Sequence, residues 1–77
     1  MITVEVRVHG NLRRFLPQGE SRRNIELPDS ARVNDLIHLL GATHEVGVIA
    51  IAGQAVTPRA SLSEGTVIDL YPHIEGG

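Results

Sequence analysis

The sequence contains no cysteine and no lysine, and it has a single phenylalanine and a single tyrosine. The missing cysteine excludes disulfides, thiolate-bound zinc and a cysteine nucleophile within the chain, and it suits a reducing compartment. With so few aromatics, a packed core has to be aliphatic. All seven basic residues are arginines and they face nine carboxylates, for a net charge of −2. That balance is too mild for a nucleic-acid or membrane surface, and no such partner is expected. No apolar run is long enough to cross a bilayer. The opening "MITVEVRVHG" alternates polar with apolar residues and lacks the unbroken apolar core of a secretion signal. The expected location is cytoplasmic.

A chain of 77 residues makes one small domain. Such a domain buries only about 60% of its unfolded surface, so it builds one modest core and leaves little room for a deep catalytic pocket. The 42% share of hydrophobic residues suits a packed globule.

Ile2, Val4, Val6 and Val8 alternate with Thr3, Glu5 and Arg7, which predicts a half-buried first strand. Leu12, Phe15 and Leu16 have the spacing of a short helical turn, stopped by Pro17 and Gly19. Ile25 and Leu27 mark a second strand. The main helix lies in "PDSARVNDLIHLLG", where Val33, Leu36, Ile37 and Leu40 form one apolar stripe. Asp29 or Ser30 is its expected N-cap and Gly41 its C-cap. "VGVIAIAG" is apolar on both faces and reads as a central strand covered on part of both sides. A turn at Gly53-Gln54 leads to a short edge strand around residues 55–57. "TVIDLYP" is the last strand, with Ile68 and Leu70 on one face and Val67, Asp69 and Tyr71 on the other. One helix cannot cover both faces of four or five strands, so the class is α+β. Apolar first and last strands belong in the middle, paired in parallel through a long crossover. This is the β-grasp, or ubiquitin-like, arrangement: a mixed four- to five-stranded sheet packed on one main helix, here over residues 1–71, with 72–77 as a C-terminal tail.

The residues that usually carry chemistry are scattered. His9, His38, His44 and His73 have no metal-pair spacing, and no metal site is expected. Neither the carboxylates nor the serines show a catalytic spacing. The arginine pairs at 13–14 and 22–23 read as solvated faces. Val67 and Tyr71, with Ile49 and Ile51 from a neighbouring strand, are candidates for an apolar docking patch beside the tail.

The tail carries the specific signal. It reads Tyr71-Pro72-His73-Ile74-Glu75-Gly76-Gly77. A C-terminal carboxylate is ionised at pH 7 and is able to attack the α-phosphorus of a nucleotide, giving an acyl-adenylate open to a sulfur or nitrogen nucleophile. Reaching that chemistry inside another enzyme requires a slim chain end. Glycine has no Cβ and permits close backbone approach. Pro72 ends the strand and holds the exit direction.

Over its full length the sequence resembles the ThiS/MoaD family of ubiquitin-like sulfur carriers. The matching stretches are "VRVHGNLRRFLP", "ELPDSARVNDLIHLLG", "VGVIAIAGQAV" and "SLSEGTVIDLYPHIEGG". The aromatic-proline pair and closing glycines, together with the early "LRRFLP", are most similar to the molybdopterin synthase small subunit branch. His73 departs from that pattern where a second proline is common. Glu75 replaces a small residue, and Ala52 stands where asparagine often precedes the turn glycine. The resemblance implies a carrier that is a substrate, not an enzyme, and binds no cofactor. An E1-like adenylating enzyme would use ATP to activate Gly77, with Gly76 as its slim neighbour, and the product would become a thiocarboxylate. A sulfur-accepting enzyme such as the large subunit of molybdopterin synthase would receive the tail. Tyr71, Pro72, His73, Ile74 and Glu75 would contact these partners. Carriers serving thiamin, cysteine or tRNA thiolation share this chemistry, as does a protein modifier joined to target amines. Without lysine the chain cannot form lysine-linked chains on itself. The remaining alternative is a plain interaction module with a frayed end.

Overall fold

Alternation in the first strand sets the architecture. β1 (Ile2–Val8) places Val4, Val6 and Val8 on one face, each at most 3% exposed. The structure is a computed structural model describing residues 1–73. Beside β1 lie β2 (Arg22–Leu27), antiparallel, and β5 (Val67–Pro72), parallel. β3 (Val46–Ile51) pairs antiparallel with β5, and β4 (Gln54–Val56) completes the far edge. The order is β2-β1-β5-β3-β4, so the first and last strands are central and parallel, as the sequence predicts. This is a β-grasp, ubiquitin-like fold.

α1 (Val33–Leu40) covers the inner face, burying Val33, Leu36 and Ile37. Gly41 ends it at φ 79°, the left-handed cap expected from sequence. The N-terminus differs. Arg32 is the N-cap, and its N–H donates to Asp35 Oδ2 at 2.8 Å. Asp29 is engaged instead by the Met1 ammonium at 2.8 Å. The turn through Pro28 and Ala31, closed by a 3.0 Å backbone bond, delays the helix by several residues. Between β1 and β2 the chain makes two 3-10 turns, Gly10–Phe15 and Pro17–Gly19, which tuck Leu12 and Leu16 into the core. The core is aliphatic throughout: among the described residues, every buried side chain is Val, Leu, Ile or Ala.

One strand is less covered than expected. β3 has an inner face, with Ile49 buried and Ile51 packed on the core, but its other face is open and Val48 is 45% exposed. The second apolar face of "VGVIAI" has no cover within the described residues.

Candidate functional site

The parallel pairing of β1 and β5 brings their C-terminal ends to the same edge of the sheet. Residue 9 therefore stands beside residues 70–72, and the His9 N–H donates to the Leu70 carbonyl at 3.0 Å. On the outer face the His9 ring stacks on Tyr71, with centroids 4.3 Å apart and planes 9° from parallel. Asp69 Oδ1 accepts from His9 Nε2 at 2.9 Å. A carboxylate only accepts, so this contact places the proton on Nε2 and leaves Nδ1 as the acceptor in the neutral ring. Arg7 lies next along the face, held firmly protonated by its contact with Glu5, with Asp69 adding to the effect. Tyr71 is thereby fixed against His9 on one side, and Val48, its register partner on β3, flanks it on the other.

Two glycines hold the strand end. The β3–β5 register shifts between Val46 and Val48, leaving Gly47 as the bulged residue. A Cβ at Gly47 would lie 2.8 Å from His73 Cα, 2.9 Å from the Pro72 carbonyl and 3.0 Å from His73 N. From the opposite side Gly10, at φ 59°, abuts the Pro72 ring, whose Cγ would be 3.0 Å from a Cβ there. The His73 ring nitrogen Nε2 donates to the His44 carbonyl at 3.2 Å. Pro72 and His73 thus leave the sheet through a slot with no side chain on either wall. β5 runs through Pro72, one residue beyond the predicted domain limit of 71.

Several predicted site residues come together here. Tyr71, Pro72 and His73 stand at the exit, and Val67 is on the same outer face, since it alternates with the buried Ile68 and Leu70. Ile49 and Ile51 require correction. They are register partners of Leu70 and Ile68, so both point to the core and neither joins the patch. The outer face of β3 belongs to Val48 and Ala50, because residues 48–51 pair in unbroken register with residues 71–68, which puts the two isoleucines on the side of the buried Leu70 and Ile68. Ile74, Glu75, Gly76 and Gly77 lie outside the described residues. His9, Gly10, Gly47 and Val48 were missed by sequence reasoning. Gly47 did leave a signal, since a lone glycine inside a β-branched run marks a bulge or a close backbone approach. Among the described residues no three His, Asp or Glu side chains gather as a metal site, and no helix is long and apolar enough to cross a membrane.

Comparison with known proteins agrees with this geometry. No curated protein matches the sequence. Among solved structures, a candidate molybdopterin converting factor subunit 1 from Pyrococcus furiosus superposes with a TM-score of 0.77 at 29% identity, covering 96% of this chain and all 100% of that one. A chain of the complex of subunits 1 and 2 of molybdopterin-converting factor from Helicobacter pylori 26695 matches at 26% identity and TM-score 0.61, over 99% of this chain and 100% of that one. Small archaeal modifier protein 1 from Haloferax volcanii shares the fold, with TM-score 0.78 at 16% identity over 96% and 100%. The likeness to the ThiS/MoaD type read from the sequence therefore stands. The family model for the Mut7-C ubiquitin domain matches residues 1–76, which is nearly the whole chain, and the protein belongs to the Mut7-C ubiquitin family.

Proposed function

We propose that this chain is a ubiquitin-like carrier whose C-terminal Gly77 is activated by adenylation and converted to a thiocarboxylate. The observation that carries the reading is the exit slot. A central parallel strand ends in a side-chain-free passage between Gly10 and Gly47, with the Gly76-Gly77 end four residues beyond His73. A rigid body that aims a slim chain end suits a substrate presented to another enzyme. The chemistry would be supplied by an E1-like adenylating enzyme. The Gly77 carboxylate attacks the α-phosphorus of ATP and pyrophosphate leaves. A sulfur nucleophile then attacks the acyl carbon of the mixed anhydride and AMP leaves. Gly76 keeps the approach narrow.

The outer-face patch of Tyr71, Val48, Val67 and Ala50 would dock such partners, with His9 holding the Tyr71 ring and Pro72, His73, Ile74 and Glu75 leading the end in. The likeness to molybdopterin converting factor subunits supports molybdopterin synthesis as the sulfur's destination and a large synthase subunit as the acceptor. Intact mass spectrometry after incubation with ATP, an E1-like enzyme and a sulfur donor tests the reading. Replacement of one oxygen by one sulfur, abolished when Gly77 is deleted, is expected. No mass change refutes the carrier, and isopeptide-linked chain on target lysines would point instead to a protein modifier.

A further inference from the structure

Four large apolar side chains are exposed among the described residues: Met1, Leu39, Val48 and Tyr71. Val48 and Tyr71 are register partners at the exit. The other two stand elsewhere. Leu39 projects from α1, 62% exposed, and borders a hollow of about 450 Å³ between the helix and the end of β2. Leu27, Pro28 and Ala31 supply apolar wall, and Glu26 and Asp35 stand in the lining with them. Asp35 is one helical turn before Leu39, so the two share a helix face.

The surroundings of this hollow are acidic. Glu26 stands in the lining, Asp29 meets the Met1 ammonium at 2.8 Å, and Glu64 accepts the N–H of Thr3, the register partner of Glu26, at 2.9 Å, so these carboxylates gather about the start of β1 and the end of β2. Only Asp29 is ion-paired with that ammonium. Glu26 has no ion pair among the described residues. Asp35 and Glu64 accept backbone N–H groups, which leave their negative charge in place. The Arg32 guanidinium is turned to the Arg59 carbonyl at 2.8 Å. A phosphate backbone or an anionic lipid surface is repelled by such a rim.

We propose that this hollow is a second docking site, taking a basic amphipathic segment of a partner protein with one aliphatic side chain in the hollow and its Lys or Arg side chains on the carboxylates. α1 packs on the inner face of the sheet, whereas Tyr71 and Val48 lie on the outer face. The hollow lies at the β2 edge of the sheet, with β1 between it and the β5–β3 pair that carries Tyr71 and Val48, so a partner on the hollow leaves the exit open.

A synthetic peptide of leucine and lysine at helical spacing is the probe, and a leucine-glutamate peptide of the same apolar pattern is its counterpart. Titration into the ¹⁵N-labelled full chain is expected to shift the amides of Glu26, Ala31, Asp35 and Leu39 with the lysine peptide alone, and to weaken as salt is raised. Leu39→Ser removes the aliphatic contact and is expected to weaken binding about tenfold. Glu26→Lys is expected to weaken it further at low salt and serves alone should Leu39→Ser fail to keep the native spectrum. The proposal is overturned if both peptides bind alike, if shifts appear only around Tyr71 and Val48 or nowhere, or if the variants bind as the parent does.

Discussion

Replacing Gly47 with alanine tests the exit slot directly. The new Cβ would meet three backbone atoms, His73 Cα at 2.8 Å, the Pro72 carbonyl at 2.9 Å and His73 N at 3.0 Å. Favourable carbon contacts sit near ~3.5–4 Å, so β5 has to retreat by about half an ångström or more. No rotamer change relieves this, because backbone is what is struck. Overpacking of this kind costs about 1–3 kcal/mol. The main core is untouched, since Gly47 is on the surface and the buried valines and leucines lie on the inner face. The chain therefore stays folded, with a melting temperature lower by about 4–8 °C for each kcal/mol lost in a domain of this size. The Val46–Pro72 pairing and the His73–His44 contact absorb the displacement. Amide shifts of ¹⁵N-labelled protein should move at residues 44–48 and 71–73 and little elsewhere. Gly41→Ala is the control: it meets nothing within 4 Å, but at φ 79° it strains the backbone. It should lower stability by about 1–2 kcal/mol while leaving the exit amides in place. If Gly47→Ala melts like the parent and the Pro72 and His73 environments are unchanged, the slot is not where we place it and its role as a launch point is refuted.

Other substitutions test neighbouring claims. Ala52 sits at φ 53° in the turn between β3 and β4, so Ala52→Gly should raise stability by about 1 kcal/mol in thermal or urea unfolding. Ile49→Ala should cost about 2–5 kcal/mol because Ile49 is 6% exposed, whereas Val48→Ala should change stability by less than about 0.5 kcal/mol. Equal losses in chemical unfolding would show that the faces of β3 are misassigned. The Met1 ammonium has its pKa raised from 8.0 by Asp29. A raised folded-state pKa means the contribution is complete below about pH 8 and disappears as pH climbs through the folded value. Stability measured across that window should fall for the free amine and stay flat at this group when the terminus is acetylated.

The fold was legible because its signals are periodic. Val4, Val6 and Val8 for β1, and Val33, Leu36 and Ile37 for α1, each announce an element and a buried face, and they are buried as predicted. The central parallel pair followed from the apolar character of "TVIDLYP". The chemistry proposed for the tail rests on Gly76-Gly77, which lie outside the described residues. What escaped depends on register and on third parties. In "VGVIAI" both faces are apolar, so alternation alone could not say whether Val48 or Ile49 faces out. That choice is made by the pairing to β5, which sets Ile49 opposite the buried Leu70. The N-cap was misplaced because the turn closed between Pro28 and Ala31 holds the helix back to Val33, with Arg32 before it, and leaves Asp29 to meet the Met1 ammonium. His9 carried no signal beyond its lack of metal-pair spacing; its contact with Tyr71 exists only because β1 and β5 run in parallel and end together.

That parallel pairing also explains why the exit is held by glycines and not by side chains. Two strands ending at one edge bring the turn after β1 against the end of β5, and the bulge in β3 closes from the other side. Three backbones then converge around Pro72 and His73. Any side chain at Gly10 or Gly47 would occupy the space where the chain leaves, while a polar side chain would add another group to be satisfied. Two glycines against the strand end define a direction at low steric cost and leave the outer face, with Tyr71, His9 and Val48, free for the docking proposed above. Direction and recognition are therefore separable. A change at Val48 should alter which partner binds without moving the exit, and a change at Gly47 should move the exit while leaving the docking side chains in place.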